Sequence, residues 1–223
     1  MGVTPCAASS DRRMAASAAA EDLRGRQILV RLLKPVASEA ATLIADQLIE
    51  RFGSLQGILT ADAAARAIFL SQEHAAAEQL EAVQEAMLQA AQAVVRANPL
   101  FPGTLAAADY LMIRMACERS EQIHALFLDS RHMLIRDECV MRGSTSEATV
   151  YPREIVRRAL ELGAASLILA HNHPSGDLTP SKDDIAATRR LIKACSAVDI
   201  QVLDHLIVAR SGCLSFRAEG LIV

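Results

Sequence analysis

The spacing of hydrophobic positions changes character partway along the chain. Between Gln27 and Ala97 it is helical: Leu43, Ile44, Leu48 and Phe52 fall on one face, and Leu80, Val83, Met87, Val94 and Val95 on another. Gly53, directly after Arg51-Phe52, predicts a helix stop. Residues 1–26 are rich in Ala, Ser and Arg and show no periodic apolar face, which predicts a flexible leader. Asn98-Pro99-Leu100-Phe101-Pro102-Gly103 concentrates helix breakers and predicts a boundary between a helical domain over 27–98 and a second domain over 103–223.

Beyond that boundary, short apolar runs alternate with helical segments. A helix is predicted from Thr104 to Cys117, followed by strands at Ile123–Leu128, Met133–Ile135 and Cys139–Met141, with a turn at Asp129-Ser130-Arg131. Gly143-Ser144-Thr145-Ser146 reads as a loop. Pro152 opens a helix that ends at Leu162 with Gly163 as its stop, Leu167–Ala170 is a buried strand, Ser181 begins a helix to Ala197, and Val202–Val208 closes the pattern as the last strand. Helices and strands mixed at this spacing predict an α/β (α+β) domain with a mixed sheet and flanking helices, preceded by a small all-helical domain.

Composition narrows the partners. The chain has 223 residues, 52% of them hydrophobic, enough for a sizeable core. A net charge of -3 supplies no overall attraction to nucleic acid or to an anionic membrane. Cys6, Cys117, Cys139, Cys195 and Cys213 form no C-x-x-C pair, so neither a disulfide framework nor a thiolate metal site is expected, and a reducing cytoplasmic location is. No apolar run has the length of a membrane helix.

The chemistry concentrates at His171-Asn172-His173, which follows Leu167-Ile168-Leu169-Ala170 and precedes the turn-rich Pro174-Ser175-Gly176-Asp177-Leu178-Thr179-Pro180. Alternate residues of a strand share a face, so the two imidazoles can converge, and Asp184 can return to them in the first turn of the next helix. Two histidines and a carboxylate make three ligands for a metal such as Zn2+ and leave one position for water. Ser181-x-x-Asp184 is equally a helix-capping pair. Asp204-His205, in the last strand, offers either a partner to a metal ligand or a structural pair, and the structural role is preferred.

His171, His173, Ser181 and Asp184 fit H-x-H-x7-S-x2-D without a gap, and the segment resembles the JAMM signature of the JAB/MPN metallopeptidases. With Pro152-Arg153-Glu154-Ile155, His171-Asn172-His173-Pro174-Ser175-Gly176-Asp177 and Leu203-Asp204-His205, the chain from about residue 103 onward resembles the bacterial RadC family more narrowly. The resemblance implies a JAMM/MPN fold, a Zn2+ held by His171, His173 and Asp184, a serine hydroxyl at Ser181 that stabilises an oxyanion, and a glutamate that acts as general base on the water. Glu121, just ahead of the first apolar strand of the domain, takes the place of that glutamate. Glu154 is the rival and Glu118 a more distant third.

The implied activity is hydrolysis of a peptide or isopeptide bond in a protein substrate. The alternative is a nucleic-acid-binding protein of DNA repair or of mobile elements, with a non-catalytic metal site; a protein-interaction module ranks third. Ala45–Asp62 resembles the helical N-terminal region of RadC proteins, which is similar to helix-hairpin-helix modules. Residues 61–97, however, hold no glycine and only two arginines, Arg66 and Arg96, so the exposed hairpin amides that bind phosphate are not expected. A packing or oligomerisation role is preferred for that half.

Overall fold

The computed structural model describes residues 7–103, 105–116, 118–143 and 151–222; Ser144-Thr145-Ser146 of the predicted loop lies outside them. The chain forms two compact units, divided between Val83 and Gln84. The division falls inside a helix, upstream of the breaker-rich stretch at 98–103.

The first unit is helical. Helix α1 (Ala7–Ala37) begins within the stretch that lacks an apolar face, in keeping with alanine's high helix propensity. A 3-10 turn, Ser38–Ala40, leads to α2 (Ala41–Phe52), and α3 (Leu55–Leu59), α4 (Ala63–Phe69) and the start of α5 (His74–Ala97) follow. Gly53 ends α2 with φ of +87°, a conformation that costs a glycine little. Leu29, Leu33, Ile44, Leu48, Ile58 and Leu80 form the core. The predicted faces were too wide: Leu43, Met87 and Val94 are exposed, whereas Ile44, Leu48, Leu80 and Val95 are buried. An apolar residue placed 100° around a helix from its neighbour need not share the buried stripe.

The second unit contains α6 (Leu105–Met115), β1 (Gln122–Leu128), β2 (Leu134–Arg142), α7 (Pro152–Leu162), β3 (Ser166–Asn172), α8 (Lys182–Ser196), β4 (Gln201–Ala209) and β5 (Gly212–Ser215). The strands form one sheet in the order β2-β1-β3-β4-β5. The β3–β4 pair is parallel, with α8 between its strands in sequence, and the other three pairs are antiparallel. The mixed sheet with flanking helices is the expected α+β architecture.

Alternation along the strands sorts side chains between two cores. Leu126, Leu128, Ile168, Ala170, Leu206 and Val208 meet Tyr110, Leu111 and Met115 of α6. Ile123, Ala125, Phe127, Leu167 and Leu169 meet Ile155 and Ala159 of α7 and Leu191 and Cys195 of α8. The central strands β1 and β3 are therefore buried on both faces, which explains the apolar runs Ala125–Leu128 and Leu167–Ala170.

Two expectations are corrected. Leu134-Ile135 of the first predicted strand and Cys139–Met141 belong to one strand, β2, which Met133 precedes; the charged Arg136-Asp137-Glu138 hid its continuity because an edge strand need not be apolar on either face. Val208 does not close the pattern either, since β5 returns antiparallel to β4 with Ala209 paired to Gly212.

Candidate metal centre

His171 is the penultimate residue of β3, on the face shared by Leu167 and Leu169, and its side chain is 2% exposed. His173 stands just past the strand, where its N–H donates to the Val208 carbonyl at 2.8 Å. The turn then brings the Asp177 carbonyl to His173 Nδ1 at 2.6 Å; Gly176, at φ of +86°, permits that return.

Asp184 enters from the first turn of α8 through a capping box. Its N–H donates to Ser181 Oγ at 3.0 Å, and the Ser181 N–H and hydroxyl donate to Asp184 Oδ2 at 2.8 and 2.6 Å. Asp184 Oδ1 lies 3.4 Å from His171 Nε2, and Oδ2 lies 3.7 Å from His173 Nε2.

Glu121 arrives from the segment ahead of β1, and Asn172 fixes that segment. The Asn172 side chain accepts from the Gln122 N–H at 2.7 Å and donates to the Glu118 and Ser120 carbonyls at 3.2 Å each. The middle residue of His-Asn-His therefore secures the opposite wall of the site. As a result, one potential ligand atom from each of Glu121, His171, His173 and Asp184 lies within 4.8 Å of the other three.

The charges at the site are strongly coupled. Burial pushes the Glu121 carboxyl above its usual range, and the neighbouring Asp184 adds to the effect. Burial opposes ionisation of Asp184 too, but His173, His171 and the Ser181 hydroxyl and N–H hold its carboxyl well below the usual range. Burial lowers His171 to about 4, whereas the Asp184 carboxylate raises His173. Burial drives His205 well below an ordinary histidine, so its ring is neutral.

The donor set fits a divalent cation. The Asp177 carbonyl can only accept, so His173 presents a protonated Nδ1 to it and, as a neutral ring, a bare Nε2 to the site. That Nε2 lies 2.9 Å from His171 Nε2, beside two carboxylates. If His171 Nε2 is bare as well, the two nitrogens repel at that distance unless a cation joins them. A proton on His173 is one such cation; a metal ion held by imidazole and carboxylate is the other, and this ligand chemistry suits zinc.

The site thus gathers His171, His173, Asp184 and Glu121, with Ser181 engaged to the Asp184 carboxylate. Glu154 lies outside it, exposed on α7 and paired with Arg153 and Arg157. Glu118 accepts from Gln122 Nε2 at 2.7 Å instead of joining the cluster. Asp204 and His205 are not a dyad. Strand alternation turns Asp204 to the other face, where it accepts from Ser215 Oγ at 2.6 Å and the Arg217 N–H at 3.1 Å. His205 faces the site and contacts His171, 2.7 Å between ring nitrogens, and Thr188 at 2.6 Å. Thr188 carried no sequence signal beyond its place one helical turn after Asp184.

Comparison with known proteins agrees with this architecture. Residues 101–221 match the model of the RadC-like JAB domain. A UPF0758 protein of Methylibium petroleiphilum is 39% identical over 201 residues, covering 90% of each chain. A UPF0758 protein of Rhodobacter capsulatus is 41% identical over 179 residues, 80% of this chain and 84% of its own, and one of Azotobacter vinelandii is 40% identical over 185 residues, 83% of each. With matches over most of its length and a family model spanning more than half of it, the chain belongs to the RadC family.

Proposed function

We propose that the protein is a Zn2+-dependent hydrolase that cleaves a peptide or isopeptide bond. The observation that carries this reading is the convergence of Glu121, His171, His173 and Asp184 within 4.8 Å. His171, His173 and Asp184 are the metal ligands. Zinc, when bound, supplies Lewis acidity and lowers the pKa of a coordinated water to about 7.

Glu121 accepts a proton from the attacking water and delivers it to the leaving amine. Its raised pKa makes the carboxylate a stronger base toward the water than an ordinary one. The Ser181 hydroxyl, after giving up its bond to Asp184, donates to the oxyanion formed from the substrate carbonyl.

The test combines metal content with hydrolysis of peptide and isopeptide model substrates, before and after chelation. Wild type should hold one zinc per chain and lose hydrolysis on chelation, while His171→Ala and Asp184→Ala should retain neither metal nor activity. Full zinc retention in both variants would overturn the ligand assignment.

A further inference from the structure

A chain of hydrogen bonds runs from α8 through the buried His205 to the site, and its direction is fixed at one end. Thr188 Oγ1 lies 2.6 Å from the Asp184 carbonyl and 2.6 Å from His205 Nδ1. A carbonyl has no proton to give, so the hydroxyl donates to Asp184 and accepts from His205 Nδ1–H. The His205 side chain is buried and neither ring nitrogen bonds to a carboxylate, so an uncharged ring, protonated on Nδ1, leaves its Nε2 bare. That nitrogen lies 2.7 Å from His171 Nδ1, so His171 carries its proton on Nδ1. His171 Nε2 is then bare and faces His173 and Asp184.

We propose that Thr188 and His205 are positioning residues that lock His171 in the tautomer needed to bind the metal through Nε2. The proposal rests on the reading of His171 as a metal ligand. Metal-binding histidines commonly donate their second N–H to a carboxylate, a carbonyl or water. Here the acceptor is a second imidazole, whose own tautomer is set by a threonine. The neutral acceptor holds the ring without adding negative charge. The Phe216 ring, 4.5 Å from that of His205, packs the relay in place. The two ends also meet, since Thr188 bonds to the backbone of Asp184, another proposed ligand.

Thr188→Val keeps the shape of the side chain and removes the hydroxyl, Thr188→Ser keeps the hydroxyl, and His205→Phe keeps a ring and removes its nitrogens. Histidine 15N spectra of the metal-free proteins read the tautomer, and competition with a chelator reads zinc affinity. Wild type and Thr188→Ser should show His171 protonated at Nδ1 and bind zinc alike. Thr188→Val and His205→Phe should populate the Nε2-protonated form and bind zinc about 10- to 100-fold more weakly. A purely structural role would lower the melting temperature and leave the tautomer and zinc affinity unchanged; that result, in a folded Thr188→Val protein, would overturn the proposal. If wild type took up no zinc, the metal reading would fail instead, and the spectra of the metal-free proteins would decide the relay by themselves.

Discussion

Asp137 shows what a buried charge in this fold requires. Its carboxylate accepts from Tyr110 Oη at 2.5 Å, and His124 Nδ1 and Arg114 Nε each lie 2.9 Å from its oxygens. Burial opposes its charge, but these partners hold its carboxyl below the usual range. A carboxyl whose pKa is lowered by folding contributes stability above its unfolded pKa of about 3.9 and loses it as pH falls through the folded value. Asp137→Ala should therefore cost about 3 kcal/mol near neutral pH, with a smaller difference in acid, as measured by urea denaturation. The sequence made the three proposed metal ligands legible because their spacing is local: strand alternation joins His171 to His173, and one turn plus one helical turn brings Asp184 back. Asp137 and Thr188 were not legible in the same way, and His205 was legible only as one of two options, a partner to a metal ligand, with the structural role preferred. Their partners are brought from distant elements, such as Tyr110, 27 residues from Asp137, and His171, 34 residues from His205.

Helix α8 is positioned by the capping box that also orients a proposed ligand. Ser181→Ala removes one partner of the Asp184 N–H and one of its carboxylate, so thermal or urea unfolding should show a loss of about 1 kcal/mol, with weaker zinc binding. Zinc affinity unchanged from wild type would show that the cap does not hold Asp184 in place for the metal. Element boundaries were readable wherever punctuation was strong: Pro152 at the start of α7, Gly163 at its left-handed end, and Gly53 after α2. They were obscured where charge interrupted an edge strand, as in β2, or where a strand spans only Gly212–Ser215, as in β5. A strand of that length presents no period to detect.

Taken as a whole, the second unit places its chemistry where the sheet can support it. The cluster lies at the carboxyl end of β3, one of the two parallel strands, beside the first turn of α8, a common location for binding sites in sheets with parallel strands. Asn172 ties the opposite wall to β3, so Glu121 is held by the same strand that carries His171. No helix among the described residues is long and apolar enough to cross a membrane. The central claim is that this cluster is a hydrolytic zinc centre in which Glu121 acts on the water. The most direct test measures zinc content and peptide or isopeptide hydrolysis together in wild type, Glu121→Gln and Glu154→Gln. The account predicts unchanged zinc in all three, a loss of about 10²- to 10⁴-fold in rate for Glu121→Gln, and wild-type rate for Glu154→Gln. Full activity in zinc-loaded Glu121→Gln would contradict it.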